Sequence, residues 1–277
     1  MNKNSEKVSI CIPTYNNADV IGATLEGILH QTYQNLEVVI VDDASTDDTI
    51  QVIERYKDSR IKLWQNDKNL GMAGNWNRCV ELASSKYIKL VCADDILVPE
   101  CVETELRAML SQRKVVMTIN DSIMVNSQKK KLGVFGRYPK KGLMDGRKLA
   151  RKALIVNNYF GMPCAVMFRK DIFEKVGGFD DSYKYILDFD LWLSMAVYGM
   201  VDVLPQKLNY FMIRRDSNTG KVLSGEQKAY YDEHVFLLNK HAARLKLTTF
   251  NVWFSKLSRK ARTMGYGLWM KCMLRKG

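Results

Sequence analysis

The chain has 277 residues, 47% of them hydrophobic, which is enough for one large α/β domain with an accessory segment and too apolar for a disordered chain. No apolar run approaches the roughly 18 residues of a membrane-spanning helix, and the six cysteines form no CxxC pair, so neither a spanning helix nor a zinc ribbon is expected. The formal charge of +12 is uneven: residues 1–120 hold 13 Lys and Arg against 17 Asp and Glu, whereas ten Lys and Arg and no acid stand from Lys240 onward.

Met1 to Lys7 is polar and leads straight into an apolar run, so no leader peptide is expected and a reducing cytoplasm suits the free thiols. Val8 to Ile12 reads as a buried strand, and Ala18 to His30 as a helix. Leu36 to Val41 repeats the strand pattern, Ser45 or Asp47 is a candidate cap for a helix over Thr49 to Tyr56, and Ile61 to Trp64 gives a short strand. Asn69 to Gly74 reads as a loop before a helix at Asn75 to Ala83, Tyr87 to Cys92 as a fourth strand, and Pro99 as the start of a helix reaching about Leu110. After a strand at Val115 to Ile119 the pattern loosens, and the glycine-containing basic stretch Lys129 to Lys152 reads as loop and short helix. Ala165 to Phe168 is a strand, Asp171 to Val176 a helix, Asp188 to Tyr198 an amphipathic helix, Val201 to Leu204 and Leu208 to Ile213 two strands, and Gln227 to Leu245 a helix. Alternation at this pitch predicts an α/β, mostly parallel sheet flanked by helices, with a C-terminal helical basic extension.

Three polar clusters each follow directly on an apolar run: Pro13-Thr14-Tyr15-Asn16, Asp42-Asp43-Ala44-Ser45-Thr46-Asp47 and Ala93-Asp94-Asp95. In an open parallel sheet ligands bind outside the carboxyl ends of the strands, so the three clusters converge, and they point to a nucleotide-sugar site. A departing nucleoside diphosphate gathers negative charge, and Mg²⁺ or Mn²⁺ on the carboxylates of Asp94 and Asp95 would balance it. Asp43 suits a uracil or thymine imide N–H, and Tyr15 the face of the base. The plainer readings are a helix cap for Asp95 and a capped loop for residues 42–47, in which Thr46 and Asp47 are the candidates for the structural role.

These strings, together with Asn69-Leu70-Gly71 and Asn75, Gly177-Gly178-Phe179 and Asp188-Phe189-Asp190-Leu191-Trp192, occur in the order found in family 2 glycosyltransferases of the GT-A (Rossmann-like) fold, which the chain resembles over about residues 8 to 215. The resemblance implies an inverting transfer of a sugar from a nucleotide donor to an acceptor hydroxyl. It makes Asp95 the principal metal ligand with Asp94 on the ribose or the metal's water shell. Pro13, Thr14, Tyr15, Asn16 and Asp43 then hold the nucleotide, and Asn69, Gly71 and Asn75 line the nucleotide or donor-sugar loop. Ala93 stands where the Asp-x-Asp motif begins, so one carboxylate fewer is available. The usual acidic pair at the catalytic helix is Leu187-Asp188 here, which leaves Asp188 as the base, with Asp190 the second choice. Arg215 is the charge partner of the diphosphate in a closing loop. No QxxRW-like string follows, which argues against a processive synthase.

On this reading residues 1–225 form the catalytic domain, its nucleotide-binding half about 1–120 and its acceptor half about 121–225, and residues 226–277 form the basic-aromatic extension. Trp253-Phe254, Leu257, Ala261 and Met264 fall near one helical face among Lys256, Arg259, Lys260 and Arg262. That composition suits an anionic membrane surface, and so an enzyme peripheral on the inner face of the cytoplasmic membrane acting on a lipid-linked glycan acceptor. Packing of those aromatics on the catalytic domain is the plainer alternative. UDP is the favoured carrier and dTDP the second. A retaining GT-A transferase or a nucleotide-sugar-processing enzyme would not need an acid at Asp188. Nucleic-acid binding lacks any motif and is opposed by the acidic first half, and His30, His234 and His241 are too scattered for a zinc site.

Overall fold

Every residue of β1 (Val8–Thr14) and β2 (Leu36–Asp42) is buried, the mark of parallel strands covered on both faces. The computed structural model of the chain describes residues 6–136, 138, 140–214 and 217–274, with the backbone alone at 264 and 266–274. Around β1 and β2 the chain adds α1 (Ile21–Leu29), α2 (Thr49–Glu54), β3 (Ile61–Gln65), α3 (Gly71–Leu82), β4 (Tyr87–Leu90), β5 (Ile96–Leu97) and α4 (Cys101–Met109). It continues with β6 (Val115–Asn126), β7 (Lys131–Phe135), β8 (Gly142–Asp145), α5 (Gly146–Ile155), a 3₁₀ turn at Pro163–Ala165, β9 (Val166–Arg169) and α6 (Lys170–Val176). It closes with α7 (Leu187–Ala196), β10 (Met200–Ile213), α8 (Asn218–Ser224), α9 (Gln227–Ala242) and α10 (Thr249–Leu274).

The strands form one 10-stranded sheet in the order β3-β2-β1-β4-β9-β6-β10-β5, with β7 on β6 and β8 on β10. Neighbours β3, β2, β1 and β4 run parallel, β10 runs parallel to β6, and β9 is antiparallel to both β4 and β6. This is the mostly parallel α/β sheet that the alternation predicts. One apolar core, between the sheet and α3, α5, α6 and α7, contains Trp76, Leu149, Phe173 and Trp192. The other, under α1, α2 and α4, contains Ile21, Leu25, Ile53 and Leu106. Leu237 and Leu238 of α9 belong to the first core, so part of the extension beyond residue 225 shares the catalytic core.

Several local expectations change. Helix α3 begins at Gly71 rather than Asn75, and the loop before it is Asn66 to Leu70. The stretch 129–152 contributes strands β7 and β8, and α5 then starts where Asp145 Oδ1 accepts the Lys148 N–H at 2.9 Å. The two expected strands at 201–213 are one, β10, whose register against β6 shifts between Val203 and Lys207. Pro205 lies in that shift, where a missing N–H costs the ladder little. Helix α7 is buried at every position rather than amphipathic, because α5, α6 and α9 surround it.

The turn before α7 is fixed to α3. Gly178 adopts φ +75, and a Cβ there would lie 2.5 Å from Asn77 Oδ1. Asn77 uses that approach to accept the Phe179 N–H at 2.8 Å and to donate to the Phe179 carbonyl at 2.9 Å. The Phe179 ring then sits edge-on to Trp76 at 5.1 Å, which seats the turn on the core.

Candidate active site

Parallel register puts Thr14 of β1 beside Asp42 of β2, so the first two polar clusters leave the sheet side by side. Asn16 N–H donates to Ser45 Oγ at 2.8 Å, and Asn16 Oδ1 accepts the Thr46 N–H at 2.8 Å. Asp42 Oδ2 accepts the Ser45 N–H at 2.9 Å, and Asp47 accepts N–H groups from Thr49 at 3.0 Å and Ala18 at 3.1 Å. Asn16 (φ 52) and Ala44 (φ 58) are both left-handed without being glycine, a conformation held by this bonding between the two loops. Asn16, Asp42 and Asp47 thus build the cleft wall, while Tyr15 at 45% exposure is open to a planar ligand.

Asp43 is buried, and its Oδ1 accepts the Asn66 side-chain amide at 2.7 Å and the Leu70 N–H at 2.8 Å. No hydrogen bond to its Oδ2 is formed among the described residues, so one oxygen is occupied and one remains as an acceptor. Asn75 is also buried; it donates to the Val41 carbonyl at 3.1 Å and accepts from Asn66 at 3.1 Å. It therefore braces the ends of the strands from beneath. Asn69 accepts the Gly71 N–H at 2.9 Å, and Gly71 takes φ +74 in open space, which forms the exposed rim of the loop. Pro13 and Thr14 are buried at the end of β1.

The third cluster follows β4. Asp94 is half-exposed, whereas Asp95 is fully buried, its Oδ1 accepting the Met212 N–H of β10 at 3.2 Å. Its Oδ2 is a buried oxygen with no hydrogen-bond partner among the described residues. Burial, and then the Asp94 charge beside it, push the Asp95 carboxyl well above its ordinary value. An orphaned carboxylate oxygen beside a second carboxylate fits a cation completed by phosphate and water oxygens. The described residues offer no group of three His, Cys, Asp or Glu for a metal held by the protein alone. Asp95 offers this oxygen from a buried position, and Asp94 is the more exposed of the two.

Asp188 begins α7, where its Oδ1 accepts the Phe189 N–H at 2.7 Å, and burial raises its carboxyl to about 7. It lies on the wall of a chiefly apolar cavity of about 500 Å³. The Cys92 thiol is pushed well up by burial, and then by Asp95, Asp94 and Asp188, so these acids lie within electrostatic reach of one group. Asp190 is placed differently. Its Oδ2 accepts Lys240 Nζ at 2.9 Å and its Oδ1 accepts His241 Nε2–H at 2.7 Å, which ties α7 to α9 and engages both oxygens.

Two supports carry no local sequence signal. Glu233 on α9 accepts the N–H groups of Lys184, Tyr185 and Ile186 at 2.8, 2.9 and 3.3 Å and so holds the chain just ahead of Asp188. Behind β4, Lys89 and Glu105 form a fully buried ion pair at 2.6 Å, extended by Asn120 at 2.8 Å from Glu105 and by the Cys164 carbonyl at 2.7 Å from Lys89. Arg214 follows β10 and reaches Asp19 at 3.5 Å, toward the loop after β1; Arg215 lies outside the described residues.

A mostly parallel α/β sheet with Asp43, Asp94 and Asp95 at its strand ends and Asp188 on a helix has the architecture of the GT-A fold. The chain belongs to glycosyl transferase family 2, whose model matches residues 9–177. It is 32% identical over 197 residues to "UDP-Glc:alpha-D-GlcNAc-diphosphoundecaprenol beta-1,3-glucosyltransferase WfaP" of Escherichia coli, covering 70% of this chain and 72% of that protein. The fold matches S. aureus TarS 1-349 in complex with UDP-GlcNAc at TM-score 0.67 and 18% identity, over 85% of this chain and 66% of that one. It also matches the mannosyltransferase PcManGT of Pyrobaculum calidifontis in complex with GDP-Man and Mn²⁺ at TM-score 0.59 and 19% identity, over 98% of this chain and 79% of that one. Among the described residues no helix is long and apolar enough to cross a membrane.

Proposed function

We propose that the protein is an inverting glycosyltransferase moving a sugar from a UDP-linked donor, or second a dTDP-linked one, to a hydroxyl of a lipid-linked glycan in cell-surface polysaccharide assembly. The observation that carries the reading is Asp188, a carboxyl raised to about 7 by burial, on a cavity wall and within electrostatic reach of the same thiol as Asp94 and Asp95. A base with that value takes a proton from an acceptor hydroxyl near neutral pH. Tyr15 would cover the base, Asp43 Oδ2 would accept the imide N–H, and Pro13, Thr14, Asn16, Asn69, Gly71 and Asn75 would shape the nucleotide loop. Asp94, with Asp95 behind it, would hold the Mn²⁺ or Mg²⁺ whose chemistry there is to offset charge on the departing diphosphate. Arg215 is the expected diphosphate partner.

A GlcNAc-diphosphoundecaprenol acceptor in the name of the E. coli relative supports the lipid-linked acceptor. So does α10, whose polar residues Ser255, Arg259 and Thr263 are buried against the domain while Phe250, Trp253, Phe254 and Leu257 are exposed. That outer face, with Lys256 and Lys260 among its aromatics, suits an anionic bilayer.

Calorimetric titration of UDP, dTDP and GDP, with and without Mn²⁺, on wild type, Asp94→Ala and Asp95→Ala tests the donor site. Metal-dependent binding of one pyrimidine diphosphate that Asp94→Ala abolishes is the expected result. Equal binding of all three nucleotides without metal would sink the assignment.

A further inference from the structure

The cavity that carries Asp188 is a poor match to a sugar alone. Asn158, Asn218 and Thr219 line part of it, but most of its wall is apolar, with Met162, Phe211, Ile213, Val222 and Leu223 offering no partner to a ring of hydroxyls. A pocket of about 500 Å³ with such walls and a few polar groups is the kind that takes a hydrocarbon. The side formed by α10 contributes Arg262, a cation. Its Nη1 donates to Asn157 Oδ1 at 2.8 Å and its Nη2 to Ser258 Oγ at 3.0 Å. Both partners are neutral, and no carboxylate pairs with Arg262 among the described residues. A half-buried guanidinium oriented by two neutral acceptors, with donors to spare and no counter-charge, is a receptor for phosphate oxygens. One helix therefore presents Arg262 to the cavity and, about two turns earlier, the exposed Trp253, Phe254 and Leu257.

The geometry points to this cavity as the site for the acceptor's aglycone: an isoprenoid-type alkyl chain lies against Phe211, Val222 and Leu223, and its diphosphate is bound by Arg262. The sugar carried by that diphosphate then extends toward Asp188. This rests on the reading of the protein as a transferase with a lipid-linked acceptor, and it adds which residues select the lipid. The chain end is drawn from the bilayer along the apolar outer face of α10.

The test uses the full-length protein saturated with UDP and Mn²⁺, so that free phosphates do not enter the donor site, and titrates farnesyl diphosphate, farnesol and inorganic diphosphate. Farnesyl diphosphate is expected to bind saturably, with the alcohol and the inorganic salt each at least tenfold weaker. Leu223→Trp, which fills the cavity, and Arg262→Gln, which removes the cation, are each expected to weaken it tenfold or more and to leave UDP affinity unchanged. Farnesyl diphosphate that fails to bind while UDP binds, or that binds both variants as it binds wild type, overturns the assignment. If UDP itself does not bind, the donor reading fails, and the farnesyl diphosphate titration without UDP still reports on the cavity. A Leu223→Trp protein that also loses UDP has lost its fold, and Arg262→Gln then decides.

Discussion

Glu233, near the middle of α9, accepts the Tyr185 N–H at 2.9 Å, and so a residue 48 positions downstream sets the approach of the chain to Asp188. The neighbouring amides of Lys184 and Ile186 converge on the same carboxylate, which leaves little freedom in the turn entering α7. Replacing Glu233 by Ala orphans three N–H groups. The expected result is a loss of roughly 10- to 100-fold in kcat from misplacement of the base, with little change in donor KM, and of about 1–3 kcal/mol in stability. Glu233→Gln, which keeps an acceptor oxygen, should recover part of kcat. A donor KM that moves together with kcat in steady-state assays would contradict a positioning role.

Asp188 must be ionised to accept a proton, and its folded value lies near 7. Activity is therefore expected to fall about tenfold per pH unit below 7 and to level off above it, and Asp188→Asn to cost roughly 10²- to 10⁴-fold in kcat. The stability sign is opposite. A carboxyl raised from 3.8 to about 7 holds its proton longer in the folded state, so folding loses stability as pH rises from about 4 to 7 and stays lower beyond. The loss is at most on the order of 4 kcal/mol at 1.36 kcal/mol per unit. Asp188→Asn should thus unfold at a higher temperature than wild type at pH 8, with the difference vanishing near pH 4 in thermal scans.

Lys89 and Glu105 are both fully inaccessible, and each is the other's charge partner at 2.6 Å. Removing one leaves the other buried and uncompensated, at a cost of about 3–5 kcal/mol. Lys89→Met and Glu105→Leu are each expected to lower the urea midpoint strongly, and the double variant to recover most of the loss. Additive losses in the double variant would show that the pair does not act as a unit.

Asp43 has one oxygen committed to Asn66 and Leu70 and the other uncommitted among the described residues. Asp43→Asn keeps an acceptor for Asn66 and Leu70 but presents an amide to the base. UDP affinity is expected to fall by roughly 10-fold or more, the effect of losing a hydrogen bond to a charged group, without loss of melting temperature. Unchanged UDP titration in this variant would remove Asp43 from the base site.

The exposed Trp253 and Phe254 on α10 are expected to carry membrane contact. Trp253→Ser with Phe254→Ser should abolish co-sedimentation with vesicles containing anionic phosphatidylglycerol while leaving UDP binding intact. Binding of wild type should weaken as salt is raised, since the lysine contribution is screened. Equal sedimentation of wild type and the double variant would return these aromatics to a protein contact.

The buried strands that end in the polar clusters were legible from the chain alone, whereas β5, β7 and β8 were not. A buried parallel strand is a local apolar run, and the residue that ends it is necessarily next to the crevice. For the same reason Asp43, Asp94 and Asp95 could be picked out as candidates without coordinates, whereas Asp188, on a helix, was marked by the resemblance. Their division of labour could not, because it depends on partners far away in sequence. One oxygen of Asp95 is held by Met212, 117 residues on, and Asp190 is bound by Lys240 and His241, 50 and 51 residues on. The same holds for the extent of β10, which only its ladder with β6 makes continuous through Pro205. It holds for α7, buried on all sides by helices that periodicity does not reveal, and for α10, whose polar face turns inward because α5 and α9 offer carbonyls and a histidine there. Local pattern determined where the acids gather; long-range packing decided how each is buried and partnered, because burial and hydrogen bonding are properties of neighbours in space.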